Sequence, residues 1–132
     1  MLRLPWITAN SAAPDREILV MASRFHLCSP RHVPEFLISS LRICWQAYRA
    51  PGVLGLRLHA NPFTRTFLTL SAWEDRETLM MFVVRDPHRT IMRRFRDHTD
   101  ESAFEFWTAE SIDLPISWGD ARERLSGEKP RA

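Results

Sequence analysis

The chain has 132 residues, of which 45% are hydrophobic, enough for one domain with a single core. Its formal net charge is only +2, so the overall electrostatics predict neither a nucleic-acid nor a membrane partner. Seventeen arginines and a single lysine, Lys129, supply the cations. Codon usage explains this bias, but arginine also suits bidentate binding of an anionic ligand.

Two cysteines, Cys28 and Cys44, are too few for a disulfide framework and are expected as reduced, buried thiols. No apolar run approaches the roughly 18 residues that indicate a membrane span. The N-terminus has an apolar stretch broken at Pro5 and makes a poor signal peptide, which predicts a cytoplasmic protein. Residues 1–15 lack any period and are predicted as a loop.

In chain order, a period of two predicts a first strand over residues 18–28, and an apolar stripe at helical spacing predicts a helix over 34–49. Strands over 53–59 and 66–73 flank a turn signal at Asn61-Pro62 and are expected to form a hairpin.

After Asp75 the hydrophobic period lengthens to that of a helix, which Pro87 divides into two pieces. Asp86 is expected to cap the second piece, with Pro87 at its first position. A fourth strand over 103–109 and a short helix that ends at Leu125 complete a domain over residues 16–126. Residues 127–132 are expected to fray.

The order β-α-β-β-α-β predicts an α+β, ferredoxin-like fold, in which two helices cover one face of a four-stranded antiparallel sheet. We expect Leu68 and Leu70 to meet the helices and Phe67, Trp73 and Trp107 to lie on the uncovered face. Because such a face is unfavourable in water, the sequence predicts a homodimer whose sheets pair face to face. Trp73 would then reach the helix side only through a bend or bulge.

Three motifs mark a family resemblance: Trp73-Glu74 at the end of the third strand, a helix with Glu77, Leu79, Phe82, Val83, Arg85 and His88, and a late Pro115 before Ala121-Arg122-Glu123-Arg124-Leu125. With this topology they resemble the dimeric α+β-barrel superfamily that includes antibiotic-biosynthesis monooxygenases, and more narrowly an uncharacterised bacterial branch of it. The resemblance covers residues 16–126. It implies a ligand cleft between sheet and helices.

Members of that superfamily carry out cofactor-independent oxygenation of aromatic substrates, haem binding or degradation, and isomerase or lyase steps. The haem-degrading branch uses a first-strand Asn, a third-strand Trp and a helix-borne His. Here no Asn lies between residues 18 and 28, and Trp73 and His88 stand farther apart than in that branch, which disfavours haem degradation.

Three residues are the candidates for catalysis: His88 as base and cofactor ligand, Arg89 as anion partner and Trp73 as stacking platform. A position near a helix N-terminus should lower the pKa of His88 and keep the ring neutral. The alternative is a structural histidine that bonds across the break at Pro87. Trp73 has an equally structural alternative in the core or at a dimer interface.

Trp45, Tyr48 and Phe82 are expected to form an aromatic wall for a flat ligand, with core packing as the alternative. Arg57 and His59 share the less apolar face of the second strand, where they would bind an anionic group of the substrate or form buried ion pairs. Neither a metal site nor a Gly-rich phosphate loop, HExxH, CxxC or GxSxG motif is predicted.

These observations and the resemblance together predict a monooxygenase-like enzyme for a small aromatic or polycyclic substrate, with no cofactor required. The alternative is a non-catalytic barrel that carries or senses a ligand, with haem among the candidates.

Overall fold

The computed structural model describes residues 2–11 and 15–125, apart from the side chains of Ile112 and Asp120. In this part of the chain, six strands form one antiparallel sheet and four α-helices pack on it. The elements, in chain order, are β1 (Leu2–Arg3), β2 (Ile7–Thr8), β3 (Glu17–Leu27), α1 (Val33–Tyr48), β4 (Val53–Asn61), β5 (Thr66–Trp73), α2 (Arg76–Val83), α3 (His88–Phe95), β6 (Thr99–Glu110) and α4 (Trp118–Leu125).

The four long strands lie in the order β4-β5-β3-β6, which is the ferredoxin-like arrangement predicted from the sequence. The N-terminal segment differs from the predicted loop, because β1 and β2 both pair with β4 and extend that edge of the sheet. Trp6 follows β1 and packs its ring directly on Gly55. A Cβ at position 55 would lie 2.4 Å from that ring, so the contact requires glycine.

Local side-chain bonds account for the turns and helix starts. Asn61 accepts backbone hydrogen bonds from Phe63 and Thr64, which closes the predicted hairpin turn between β4 and β5. Asp75 caps α2 by accepting the Thr78 N–H at 2.8 Å. Asp86 accepts the Thr90 N–H of the first turn of α3 at 3.1 Å, but the helix begins at His88, so Pro87 rather than Asp86 is its N-cap.

The two sheet faces are exchanged relative to the prediction. Phe67 and Trp73 lie on the face that α1, α2 and α3 cover, whereas Leu68 and Leu70 lie on the opposite face. No bulge in β5 is needed; the irregularity lies in β4, between Val53 and Gly55. Alternation alone does not say which face meets the helices, and here the aromatic face does, because Phe36 and Phe82 of the helices pack on its rings.

The second face of the sheet is covered within the same chain. Ile116, Ala121 and Leu125, in and just before α4, pack on an apolar cluster of the sheet that includes Ile18, Val20, Ala22, Leu54, Leu70 and Ala72. Trp107 lies on this face, as predicted, with the Arg124 guanidinium 4.4 Å from its ring centroid. The bare apolar face from which the homodimer was inferred is therefore absent, and that argument for a dimer no longer holds.

The far end of the same face is polar. Arg24 pairs with Glu101, and His26 Nδ1 lies 2.6 Å from Asp100. Cys28 is exposed rather than buried, because it follows the last paired residue of β3, whereas Cys44 is half-buried. Within residues 2–11 and 15–125, no helix is long and apolar enough to cross a membrane.

Candidate active site

A cavity of about 690 Å³ lies between the helix-covered face of the sheet and helices α1 to α3. This volume is within the range of small-molecule sites. Its walls are mainly apolar and come from both layers; the larger apolar side chains are Met21, Phe25, Phe36, Ile43, Leu56, Phe67, Leu70, Trp73, Met80, Phe82, Met92, Phe95, Phe104 and Phe106. The ligand cleft implied by the family resemblance thus has a physical counterpart at the expected place.

Small residues of α1 leave this space open. Ser40, Cys44 and Ala47 recur at spacings of four and three and face the sheet below Phe36. Ser40 donates its hydroxyl to the carbonyl of Phe36 at 2.7 Å, so it is satisfied within its own helix. Burial raises the pKa of the Cys44 thiol to about 11, which keeps it protonated and makes it a poor nucleophile at neutral pH.

His88, the first residue of α3, lines the cavity just after the break that follows α2. Its Nδ1 lies 3.2 Å from the carbonyl oxygen of Val83, the last residue of α2. Because a carbonyl only accepts hydrogen bonds, Nδ1 must carry the proton, which leaves a lone pair on Nε2 when the ring is neutral. Both sequence-based interpretations of His88 therefore apply: it bonds across the break and it lines the cleft.

The electrostatic surroundings keep the ring neutral. Burial lowers the pKa of His88 below its ordinary 6.5, and the bond to the Val83 carbonyl opposes this shift in part. The direction agrees with the sequence-based expectation, and burial is the main cause. At neutral pH the Nε2 atom can therefore accept a proton or ligate a metal ion.

Gln46 of α1 fixes this arrangement and was missed by the sequence analysis. Its Oε1 accepts the backbone N–H of His88 at 2.9 Å, and its Nε2 lies 3.3 Å from the carbonyl oxygen of Phe82 and 3.4 Å from that of Arg85. One amide thus serves the end of α2 and the start of α3. The signal was the predicted helix break itself, since it leaves backbone groups that need a partner from a neighbouring helix.

Hydroxyl groups form a polar strip on the strand side of the cavity. The Trp73 indole N–H donates to Ser71 Oγ at 2.9 Å, so the Ser71 hydroxyl hydrogen is left for another acceptor. The Ser23 and Thr69 hydroxyls bond to each other across β3 and β5.

Trp73 borders the cavity beside Phe82. Its side chain has no exposed surface and packs under Phe82, with 5.0 Å between ring centroids. Both rings thus lie at the cavity, as expected, and the stacking role of Trp73 stays a prediction. Trp73 acts on the site through its hydrogen bond to Ser71.

Trp45 and Tyr48 do not join the wall of this cavity. They are 64% and 40% exposed on the outer side of α1. Successive residues of a helix are rotated by about 100°. Because Cys44 and Ala47 face the sheet, Trp45 and Tyr48, which follow them directly, point away from it. Trp45 instead borders a second groove, between α1 and α2.

Arg57 and His59 belong to a separate cluster under α4. The His59 ring stacks on Trp118 with 4.8 Å between centroids, and the Arg57 guanidinium lies 5.2 Å from that ring. Arg122 donates to His59 Nδ1 at 3.4 Å. Burial, followed by Arg3, Arg122 and Arg57, lowers the pKa of His59. Although Arg57 borders the cavity, its charged end lies on the other side of the sheet, so neither residue can hold a substrate there.

Arg89 lies at the cavity mouth, as expected for an anion partner, and its side chain is exposed. No group of three His, Cys, Asp or Glu side chains within residues 2–11 and 15–125 is arranged to hold a metal ion.

The fold is shared with solved structures. An antibiotic biosynthesis monooxygenase matches with a TM-score of 0.62 at 14% identity, over 69% of this chain and 97% of that one. SnoaB, a cofactor-independent oxygenase from Streptomyces nogalater, matches with a TM-score of 0.57 at 15% identity, over 70% and 93%. Rv0793 from Mycobacterium tuberculosis matches with a TM-score of 0.62 at 9% identity, over 68% and 92%.

These likenesses confirm that the chain has the fold of the antibiotic-biosynthesis-monooxygenase-like superfamily. More narrowly, the chain belongs to the family described as a domain of unknown function, DUF3291, whose model matches residues 35–129. No curated protein matches the sequence. At such low identities the similarity establishes the fold, and the chemistry must be argued from the site.

Proposed function

We propose that this protein is a monooxygenase-like enzyme that oxidises an aromatic or polycyclic substrate without a cofactor. One observation carries the proposal: a half-buried, neutral His88 with its Nε2 lone pair lines a largely apolar cavity of about 690 Å³. Such a cavity excludes water from a flat substrate, and the histidine supplies a base inside it. The cofactor-independent oxygenase SnoaB, which has the same fold, supports this reaction class by analogy.

The proposed reaction begins when His88 Nε2 removes a proton from a ring carbon that is conjugated with a ring carbonyl, as the CH2 of anthrone is through its aromatic rings, which gives an enolate. The Ser71 hydroxyl, whose oxygen is already held by Trp73, donates to the enolate oxygen. One electron then passes from the enolate to O2, and the resulting superoxide joins the same carbon as a peroxide, which takes up the proton held by His88. Loss of water leaves a new carbonyl. With anthrone, one O2 gives one anthraquinone and one water.

Arg89 would contribute positive charge at the mouth, where it favours the enolate and the peroxide over the neutral substrate. Trp73 is a positioning residue in this scheme rather than a surface for the substrate.

Oxygen uptake with anthrone, in the presence of EDTA and without added flavin, tests the proposal. We expect His88→Ala to lower kcat by about 10²-fold or more, the contribution of a general base. The His26→Ala variant, which alters a histidine on the other sheet face, should retain wild-type activity. Because protonated His88 cannot act as a base, activity should fall as the pH drops, with a midpoint below 6.5.

Equal rates for wild type and His88→Ala, with both proteins folded by circular dichroism, would remove the proposed base. If the residual activity of His88→Ala still falls at low pH, this pH dependence belongs to another group.

The second candidate is a non-catalytic barrel that binds haem or another ligand. A neutral histidine whose Nδ1–H is held by a carbonyl is also the usual arrangement of a metal-ligating imidazole, so His88 fits a haem iron through Nε2. Bound haem would then either supply iron chemistry or be a ligand that the protein carries.

A hemin titration separates the two candidates. Haem ligation by His88 predicts a Soret shift that saturates at one hemin per chain and disappears in His88→Ala. Hemin spectra identical in the two proteins would exclude this ligation and leave the oxygenase and a barrel that carries another ligand.

We also propose that the protein is a homodimer, although not for the reason first given. In the described sheet β6 is an edge strand, and it carries Phe104 and Phe106, which are 50% and 38% exposed at the cavity mouth. A second copy that covered these rings would remove an exposed strand edge and close the cavity.

Sedimentation velocity tests this arrangement. We expect a dimer at micromolar concentration that Phe106→Ser shifts towards monomer, because the exposed ring would be part of the interface. Phe63→Ser, at the 89% exposed tip of the β4–β5 hairpin, is the matched control and should remain dimeric. A wild-type protein that stays monomeric at tens of micromolar would refute the dimer.

A further inference from the structure

The charged side chains at the cavity mouth all have the same sign. Arg89, Arg93 and Arg96 line the mouth, and their spacings of four and three put them on one strip of α3 and the turn that follows it. Among the described residues that line the cavity, none is Asp or Glu. The hydroxyls of Thr99 and Ser102, at the start of β6, lie at the same cavity.

Acidic groups in the vicinity do not cancel this charge. Asp86 acts electrostatically on Arg89 and Arg93, but its carboxylate is already engaged by the Thr90 N–H and hydroxyl. Glu35 pairs with Arg94, which lies on the same helix but does not line the cavity. The Asp86 carboxylate thus faces two of the three guanidiniums, those of Arg89 and Arg93.

The mouth has a further cation beside its apolar rim. Arg76 holds its guanidinium 5.6 Å from the centroid of the Phe106 ring. The site therefore combines an apolar interior with a cationic, water-exposed entrance. A neutral polycyclic molecule uses the interior only and leaves the arginines at the entrance without a partner.

We propose that the natural ligand is an amphipathic organic anion, with its apolar body inside the cavity and a carboxylate or phosphate held at the mouth by Arg89, Arg93 and Arg96. The guanidinium fork matches the planar geometry of such oxyanions, and a charge at the mouth need not be fully desolvated. This inference rests on the cavity being the ligand site of the proposed function, but not on the oxygenation step.

The anchored charge would also orient the ligand. With the anionic end at the mouth, the apolar end is directed towards the interior, where His88 and the Ser71 hydroxyl lie. The arginines would thereby select which carbon of the substrate meets the base.

Two fluorescent dyes that differ by one sulfonate test the proposal. 1-Anilinonaphthalene-8-sulfonate carries the anionic group, and N-phenyl-1-naphthylamine is the same ring system without it. We expect the sulfonate to bind the wild-type protein more tightly. Its Kd should rise severalfold between about 20 and about 300 mM salt, while that of the neutral dye stays nearly constant, since salt screens exposed charges.

Arg93→Gln and the adjacent Arg94→Gln form a matched pair, because both remove one positive charge from the same helix. We expect Arg93→Gln to weaken sulfonate binding by about fivefold to tenfold and to leave the neutral dye within about twofold, whereas Arg94→Gln changes neither. Arg93→Lys, which keeps the charge but loses the fork, should give an intermediate value and serves if Arg93→Gln folds poorly.

Equal losses in Arg93→Gln and Arg94→Gln would mean that only net charge matters and would overturn the proposal. The proposal would also be overturned if the neutral dye bound as tightly as the sulfonate and the same competitor displaced both dyes equally well. Competition with 1-naphthoate and 1-naphthyl phosphate then distinguishes a carboxylate from a phosphate site. Dye binding that obeys these expectations without any oxygen uptake would refute the oxygenase and retain the anion site.

Discussion

The break between α2 and α3 leaves backbone groups without helical partners, and the candidate site depends on how they are satisfied. Gln46 of α1 accepts the His88 N–H and reaches the carbonyls of Phe82 and Arg85, while the His88 ring donates to Val83. Removing a partner from a buried polar group costs about 1–3 kcal/mol, so these bonds favour one geometry of the joint. That geometry sets the tautomer of His88, and with it the position of the only lone pair on the ring.

The cavity itself follows from the choice of small residues opposite aromatic ones. Ser40, Cys44 and Ala47 of α1 leave room that the rings of Phe36, Phe67 and Phe82 surround without filling. Strands β3 and β5 provide hydroxyls, and the hydroxyl of Ser71 is held in place by the buried Trp73. Arg89, Arg93 and Arg96 place positive charge at the mouth. An apolar interior with a base, a hydrogen-bond donor and a cationic entrance suits a flat substrate that becomes an anion during the reaction.

Much of the fold was predictable because local signals agreed with the topology. The period of two over residues 66–73 defined β5 at both ends, and Asp86 accepts a backbone N–H of α3 close to the predicted start of that helix. The assignment of the sheet faces was wrong for Phe67 and Trp73, since alternation divides a strand into two sets without naming the buried one. The coverage by α4 escaped prediction because a short C-terminal helix carries no signal for the surface on which it packs.

Prediction of the site was limited in the same way. His88 and Arg89 were found because a proline break draws attention to its neighbours, and Phe82 because it belongs to a strong helical stripe. Trp45 and Tyr48 were assigned to the wrong side of α1, an error of one residue, or about 100° around the helix axis. Sequence periodicity does not resolve such a rotation in a helix with apolar residues on several sides. Gln46 and Ser71 act through particular hydrogen bonds, and such pairings are visible only in three dimensions.

The most direct test of this account is the protonation of the two ring nitrogens of His88, read by NMR from ¹⁵N-labelled histidine at neutral pH, with His88→Gln used for assignment. The account predicts a proton on Nδ1, none on Nε2, and a change in the Nε2 resonance when an apolar ligand fills the cavity. A ring that carries its proton on Nε2 would contradict it, because the lone pair would then face the Val83 carbonyl and no base would be left for a substrate.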